Sequence, residues 1–147
     1  MTRITIPRET PYVVRLLNCQ ILSNPKPVFE FRHPKKNLNE SNERYISLTF
    51  ECGQDCTVHG FAGFFESVLY DDITMSIHPE HHSPDLISWF PLVFPLDKPI
   101  QVSGSERITV HLWRCTASRE VWYEWAVTQP SCSKLHNAAG RAYKIGL

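Results

Sequence analysis

Glycine is scarce in this chain, with six in 147 residues, at positions 53, 60, 63, 104, 140 and 146. That spacing allows neither G-x-G-x-x-G nor G-x-x-x-x-G-K-[ST], so both glycine-rich phosphate cradles are excluded. G-x-S-x-G and H-E-x-x-H are also missing, which removes the commonest hydrolase elbow and zinc-protease signatures. Neither sign of charge is in excess. Fifteen basic and fifteen acidic residues cancel, so no net field draws the chain to nucleic acid or to an anionic membrane. No apolar run approaches the ~20 residues of a membrane helix, and the opening Met-Thr-Arg-Ile-Thr-Ile-Pro-Arg lacks the apolar stretch of a secretory signal. The expected location is cytoplasm and nucleus. Cysteine is few and odd, at five, and only Cys52 and Cys56 lie close together, so a fully paired disulfide scaffold is excluded and reduced structural thiols are expected.

What is present suits a packed core. The chain is 42% hydrophobic and 20% charged, and its length fits one domain rather than two. Eleven prolines and 12% aromatics favour strands and fixed turns over long helices, because proline lacks a backbone donor and aromatics pack well on pleated surfaces. Period-2 alternation confirms the bias. Phe29 and Phe31, then Ile46, Leu48 and Phe50, then Ile73, Met75 and Ile77 alternate with polar neighbours. Ile108, Val110 and Leu112 do the same, as do Val121, Tyr123, Trp125 and Val127. Each run predicts a half-buried strand.

Ser103-Gly104-Ser105-Glu106 predicts a tight hairpin between antiparallel neighbours, with Gly104 supplying a positive φ. Nine of the prolines, Pro95 and Pro99 among them, are expected between strands or at their ends. Gly60 to Tyr70 fits helical spacing through Phe61, Phe64, Phe65 and Val68, but two glycines disfavour a helix, and the segment is read as a bent strand. Residues 32–44 form the one long polar loop. The predicted fold is all-β: a single-domain antiparallel barrel or sandwich of about eight to ten short strands.

Several stretches are more particular. His59-Gly-Phe-Ala-Gly-Phe-Phe-Glu66, Leu69-Tyr70-Asp-Asp-Ile73 and Ser76-Ile77 resemble the barrel domain of protein arginine methyltransferases. Ser83-Pro84 and Ile87-Ser88-Trp89-Phe90-Pro91 are similar to the substrate-side loop of the type II, symmetric-dimethylating branch; the type I branch carries Thr-His-Trp there. The likeness runs from Pro11-Tyr12-Val13-Val14-Arg15-Leu16 through Trp113-Arg114-Cys115, Val121-Trp122-Tyr123-Glu124-Trp125-Ala126-Val127 and His136-Asn137 to Gly140-Arg141-x-Tyr143-x-Ile145-Gly146-Leu147. Residues 1–10 stand outside it.

The resemblance implies that residues 11–147 are the C-terminal, substrate-side β-barrel domain of such an enzyme, without the TIM-barrel and Rossmann-like domains that precede it. The missing domain would bind S-adenosylmethionine and hold the catalytic glutamates, so this chain is expected to bind no cofactor and to carry no catalytic residue. The implied activity of the intact enzyme is symmetric dimethylation of arginine in histone tails and in spliceosomal and RNA-binding proteins. A WD-repeat subunit would dock on the absent N-terminal domain and not on this chain. An exposed apolar face is expected where the cofactor domain would sit. The alternative is a stand-alone, non-catalytic interaction or regulatory domain.

Trp89 is the leading site residue. The matching tryptophan of the family packs against the substrate arginine, and a guanidinium over an indole face gains about 0.5–2 kcal/mol; read alone, Trp89 would be a core residue. Ser88 and Phe90 flank it as backbone and positioning contacts, in a loop stiffened by Pro84 and Pro91. Glu66 beside aromatics could be a buried base, but a solvent-facing carboxylate is the reading favoured here. Cys52 and Cys56 with His78 and His82 have spacings that permit a Cys₂His₂ zinc site, although the family carries no metal and none is expected. Arg32, Lys35 and Lys36 read as a solvated loop rather than a nucleic-acid contact.

Overall fold

The computed structural model describes residues 8–146. Nine strands occur among them: β1 Tyr12–Val13, β2 Arg44–Glu51, β3 Cys56–Gly63, β4 Glu66–Tyr70, β5 Ile73–Ser76, β6 Leu92–Val102, β7 Arg107–Ala117, β8 Glu120–Gln129 and β9 Ile145–Gly146. The only helical turn among the described residues is the 3₁₀ turn Ala138–Gly140. Every pairing is antiparallel. One sheet has the order β1-β6-β3, a second β2-β7-β8-β9, and β4-β5 forms a separate ribbon. The all-β expectation is borne out, in its sandwich form, although β6, β7 and β8 run to 11, 11 and 10 residues and are not short.

The alternation seen in the sequence decides what is inside. Val58, Phe94, Leu96, Ile100 and Val102 of the first sheet meet Ile108, Val110, Trp125 and Val127 of the second in one buried cluster. Burial of side chains this size is worth about 1.5–3 kcal/mol each. Leu48 and Phe50 of β2 pack on its margin, while Ser47 and Glu51 on either side of them stay exposed.

Three local expectations are corrected. Phe29 and Phe31 alternate with charged residues but lie in no ladder; instead the Phe31 ring takes the Arg44 and Arg114 guanidinium carbons at 5.2 and 5.1 Å, so cation contacts rather than strand pairing use its face. The turn at 103–106 is tight, with the Glu106 amide donating to the Ser103 carbonyl at 3.0 Å, but β6 and β7 are not neighbours. It passes the chain from one sheet to the other, because β6 pairs with β3 and β1 while β7 pairs with β2 and β8. Gly104 is needed for closeness and not for a positive φ: a Cβ there would lie 2.9 Å from the Gln54 Cα, and its amide donates to Asp55 at 2.9 Å.

Pro95 and Pro99 fall inside β6, not at its ends. They are tolerated because the ladder is interrupted there: Val58 pairs with Ile100 and Gly60 with Pro95, so 96–99 form a bulge outside the pairing. Two core side chains hold that bulge. The Trp125 indole donates to the Pro95 carbonyl at 2.9 Å, and the Asp97 amide donates to His136 Nε2 at 3.0 Å. Gly60 sits at the same irregularity, where a Cβ would come within 2.5 Å of the Phe94 carbonyl oxygen. The bent strand expected for Gly60–Tyr70 is therefore β3, a break, and β4.

Candidate functional site

The loop from β5 to β6 is built on a closed base. The Ser83 amide donates to the Ser76 carbonyl at 2.8 Å, and Ser83 Oγ accepts the Ser76 amide at 3.0 Å. Ser76 Oγ in turn accepts the His78 amide at 3.0 Å. Ile77 is buried at the centre, and its amide donates to the Phe65 carbonyl at 3.0 Å. Four hydrogen bonds and one buried aliphatic side chain thus tie the two ends of 76–83 together and to the β3–β4 junction. Ser83-Pro84-Asp85 then turns with Asp85 at φ +64°, a conformation that aspartate tolerates better than most residues. The far end is fixed by Val14, whose amide donates to the Pro91 carbonyl at 3.2 Å.

Between these anchors stand Ser88, Trp89 and Phe90. Ser88 is exposed and Phe90 half-buried. Trp89 is 52% exposed, with its indole edge-to-face on Phe65 at 5.4 Å and 70°. An aromatic pair of this kind contributes about 0.5–1.5 kcal/mol, enough to orient the ring without covering both faces. Trp89 is not a core residue. Trp125 fills that role, fully buried and stacked 5.3 Å from His136.

Glu66 opens β4 directly after Phe65. It is exposed, accepts a 3.4 Å hydrogen bond from Ser76 Oγ and pairs with His81 Nε2, so the solvent-facing reading of this carboxylate holds. His78 and His81 stack at 4.1 Å, and His78 Nδ1 accepts the Glu80 amide at 3.2 Å. The Cys₂His₂ combination permitted by spacing is not assembled. Cys52 and Cys56 pack at the core margin, while the His78 ring groups with His81 and Glu80 and His82 turns to the Ser83 carbonyl at 2.7 Å. Burial pushes the Cys52 and Cys115 thiols up to about 11, well above the range in which a cysteine acts as a nucleophile.

Beside this loop the β4-β5 ribbon exposes Val68, Leu69, Tyr70 and Ile73. Arg32 and Lys35, two of the basic residues of the 32–44 loop, are engaged locally: Arg32 bonds Glu30 at 2.8 Å, and Lys35 bonds the Glu40 carbonyl and Asn42. In an open groove of about 630 Å³ lined by Leu22, Lys26, Thr49, Glu51 and Arg107, Arg107 pairs with Glu51 at 2.9 Å and Lys26 donates to the Thr49 carbonyl at 2.5 Å.

No glycine-rich cradle at a helix start is built among the described residues. Gly60, Gly63, Gly104 and Gly140 each face a strand backbone, a loop or a side chain, and no glycine turn opens onto a helix among the described residues.

The chain matches the family model described as the PRMT5 oligomerisation domain over residues 3–145. It is 50% identical over 139 residues to Protein arginine N-methyltransferase 5 of Xenopus laevis, covering 95% of this chain and 22% of that protein. It is also 50% identical over 142 residues to Protein arginine N-methyltransferase 5 of Oryza sativa subsp. indica, covering 95% and 22%. Against Protein arginine N-methyltransferase skb1 of Schizosaccharomyces pombe the identity is 34% over 163 residues, covering 95% and 26%. The chain spans about a fifth of the length of the first two of these relatives.

Proposed function

The chain belongs to the protein arginine N-methyltransferase 5 family, and on that premise we propose that it forms the substrate-side wall of an arginine-methylating enzyme. The observation that carries this reading is Trp89, anchored edge-on by Phe65 yet half exposed on a loop pinned at both ends. An exposed, oriented indole face is what a guanidinium needs for a cation–π contact. Stacking leaves the in-plane N–H groups of the arginine free for other partners, Ser88 and the Phe90 backbone being the nearest along the chain. The methyl donor, S-adenosylmethionine, and the acidic groups that orient the reacting nitrogen come from elsewhere in the enzyme. This chain's part is to bind, orient and exclude water on one side of the substrate.

In this reading the product is symmetric dimethylarginine in histone tails and in spliceosomal and RNA-binding proteins, in cytoplasm and nucleus. A WD-repeat subunit attaches through a part of the enzyme outside this chain. The exposed apolar row Val68, Leu69, Tyr70 and Ile73 is the surface against which the cofactor-binding domain rests. The family model's own description, an oligomerisation domain, supports a second reading, in which the chain is an association module and self-contact is its main work.

A chimeric enzyme separates the two. With this chain in place of the matching segment of the Xenopus laevis relative, Trp89→Ala is expected to lower kcat/KM on an arginine peptide by about 3- to 30-fold, the equivalent of the ~0.5–2 kcal/mol contact. Trp89→Phe should keep part of that loss, and the oligomeric state should be unchanged. Turnover by Trp89→Ala within twofold of the parent would refute the substrate-side role, and a change of assembly without a change of turnover would favour the second reading.

A further inference from the structure

We propose that His78, Glu80 and His81, supported by Glu66, form a binding site for one divalent transition metal, with zinc as the ion they suit. One ligand atom from each of the three residues lies within 4.8 Å of the other two, although two are exposed and free to turn to water. Around a tetrahedral zinc with Zn–N bonds of about 2.0–2.1 Å, neighbouring ligand atoms stand about 3.3 Å apart. Rotation of exposed side chains covers the difference. Two imidazoles and a carboxylate are donors for zinc; magnesium and calcium take oxygen ligands and are disfavoured.

The backbone beneath this cluster is fixed before any ion arrives. Pro79 restricts φ inside the turn, the His81 amide donates to the His78 carbonyl at 3.3 Å, and the Ser76–Ser83 bonds close the loop base. Glu66 adds an orienting group. A carboxylate that accepts the His81 Nε2 proton selects the tautomer whose Nδ1 lone pair is free, the arrangement in which a carboxylate supports a metal-binding histidine from behind. Glu66 is itself held by Ser76 Oγ at 3.4 Å. Binding takes the His78 Nδ1 lone pair from the Glu80 amide, one 3.2 Å hydrogen bond, in exchange for coordinate bonds from two imidazoles and a carboxylate. Water completes the coordination.

The site differs from the cysteine-containing one that the sequence spacing permits. It also lies outside the Trp89 contact. Bound zinc would staple the start of β4 to the 77–82 turn, immediately before the loop that carries Trp89.

The test is calorimetric titration of the full chain with Zn(II), and separately with Mg(II), followed by X-ray absorption of the zinc-loaded protein. One zinc per chain is expected, with imidazole scattering and no sulfur shell. His78→Asn and His81→Asn should each weaken binding at least tenfold, and Glu66→Gln about tenfold with the stoichiometry kept. Cys52→Ser/Cys56→Ser should leave affinity unchanged. Glu80→Gln, at an exposed turn position, guards against loss of fold and should weaken binding while leaving the near-ultraviolet circular dichroism as in the parent. Zinc affinity weaker than millimolar, unchanged affinity in the His78→Asn/His81→Asn double variant, a sulfur shell, or equal binding of Mg(II) would each overturn the proposal.

Discussion

Replacing Asn137 with alanine removes four hydrogen bonds in one step. Asn137 is fully buried; its Nδ2 donates to the Tyr123 and Tyr143 carbonyls, both at 2.9 Å, and its Oδ1 accepts the Ala142 and Tyr143 amides at 2.9 and 3.0 Å. The side chain therefore clasps the C-terminal tail to β8, and β9 pairs with β8 only beyond that clasp. At a net ~1 kcal/mol per bond the loss would be about 4 kcal/mol. Two features adjust the figure in opposite directions. Residues 141–146 are exposed around the clasp, so the orphaned groups at 142 and 143 regain water once the tail lifts, which reduces the cost. Asn137 also holds φ +52°, where alanine adds about 1 kcal/mol of strain that asparagine largely avoids.

The expected result is about 3 kcal/mol lost in urea unfolding, near 9 °C in Tm for a chain of this length. Asn137→Gly should lose about 1 kcal/mol less, because glycine keeps the backbone freedom while lacking the clasp. Carboxypeptidase should trim the tail of either variant faster than that of the parent. A loss below about 1 kcal/mol for Asn137→Ala, or a tail as resistant as in the parent, would refute the clasp as the tail's main attachment.

Two further outcomes follow from buried titratable groups. Burial holds the His136 imidazole below its ordinary value, Lys134 acting in the same direction and the Trp125 carbonyl, Glu9 and Asp97 opposing; the unfolded chain then binds the proton first, so stability present above about pH 6.5 declines as pH falls through that value, by up to about 1.4 kcal/mol per unit. A His136 midpoint at or above 6.5, followed by NMR, or stability flat from pH 7 to 5, would contradict this. Among the thiols, Cys19 and Cys132 are exposed and Cys52, Cys56 and Cys115 partly covered, with Cys52 and Cys115 raised to about 11; a thiol reagent at pH 7.5 should label two cysteines rapidly and three slowly, and uniform rapid labelling would refute the packing of the three.

Alternation in the sequence carried most of the fold because a strand with one buried face must repeat every two residues. β2, β7 and β8 follow that pattern; the inward residues of β7 and β8 form one half of the core, and those of β2 pack on its margin. The pattern misleads where another interaction uses the same side chains. Phe31 alternates with charged residues yet faces two guanidinium groups rather than a neighbouring strand. Topology lies further out of reach: the turn at 103–106 has hairpin composition, and only the pairing of β6 and β7 with other strands makes it a bridge between sheets. Pro95 and Pro99 warned that the β6 ladder is broken, but a proline marks a missing donor and not the length of the bulge that accommodates it.

The candidate site divides in a similar way. Trp89 was legible because its whole segment, Ile87 to Pro91, resembles a known loop; by composition alone it was indistinguishable from Trp125, and the two lie at opposite extremes, 52% and 0% exposed. What separates them is the closure of 76–83, which depends on two serines exchanging hydrogen bonds across seven residues, a signal that local composition does not carry. The same closure turns His78 and His81 toward each other and brings His81 to Glu66, whereas spacing alone paired His78 with His82 and added two cysteines. The ring that steadies Trp89 and the carboxylate that holds His81 are adjacent residues, Phe65 and Glu66, at the mouth of β4. A change at this junction should therefore reach both loops, while a change in the sandwich core should first reach the bulge held by Trp125 and His136.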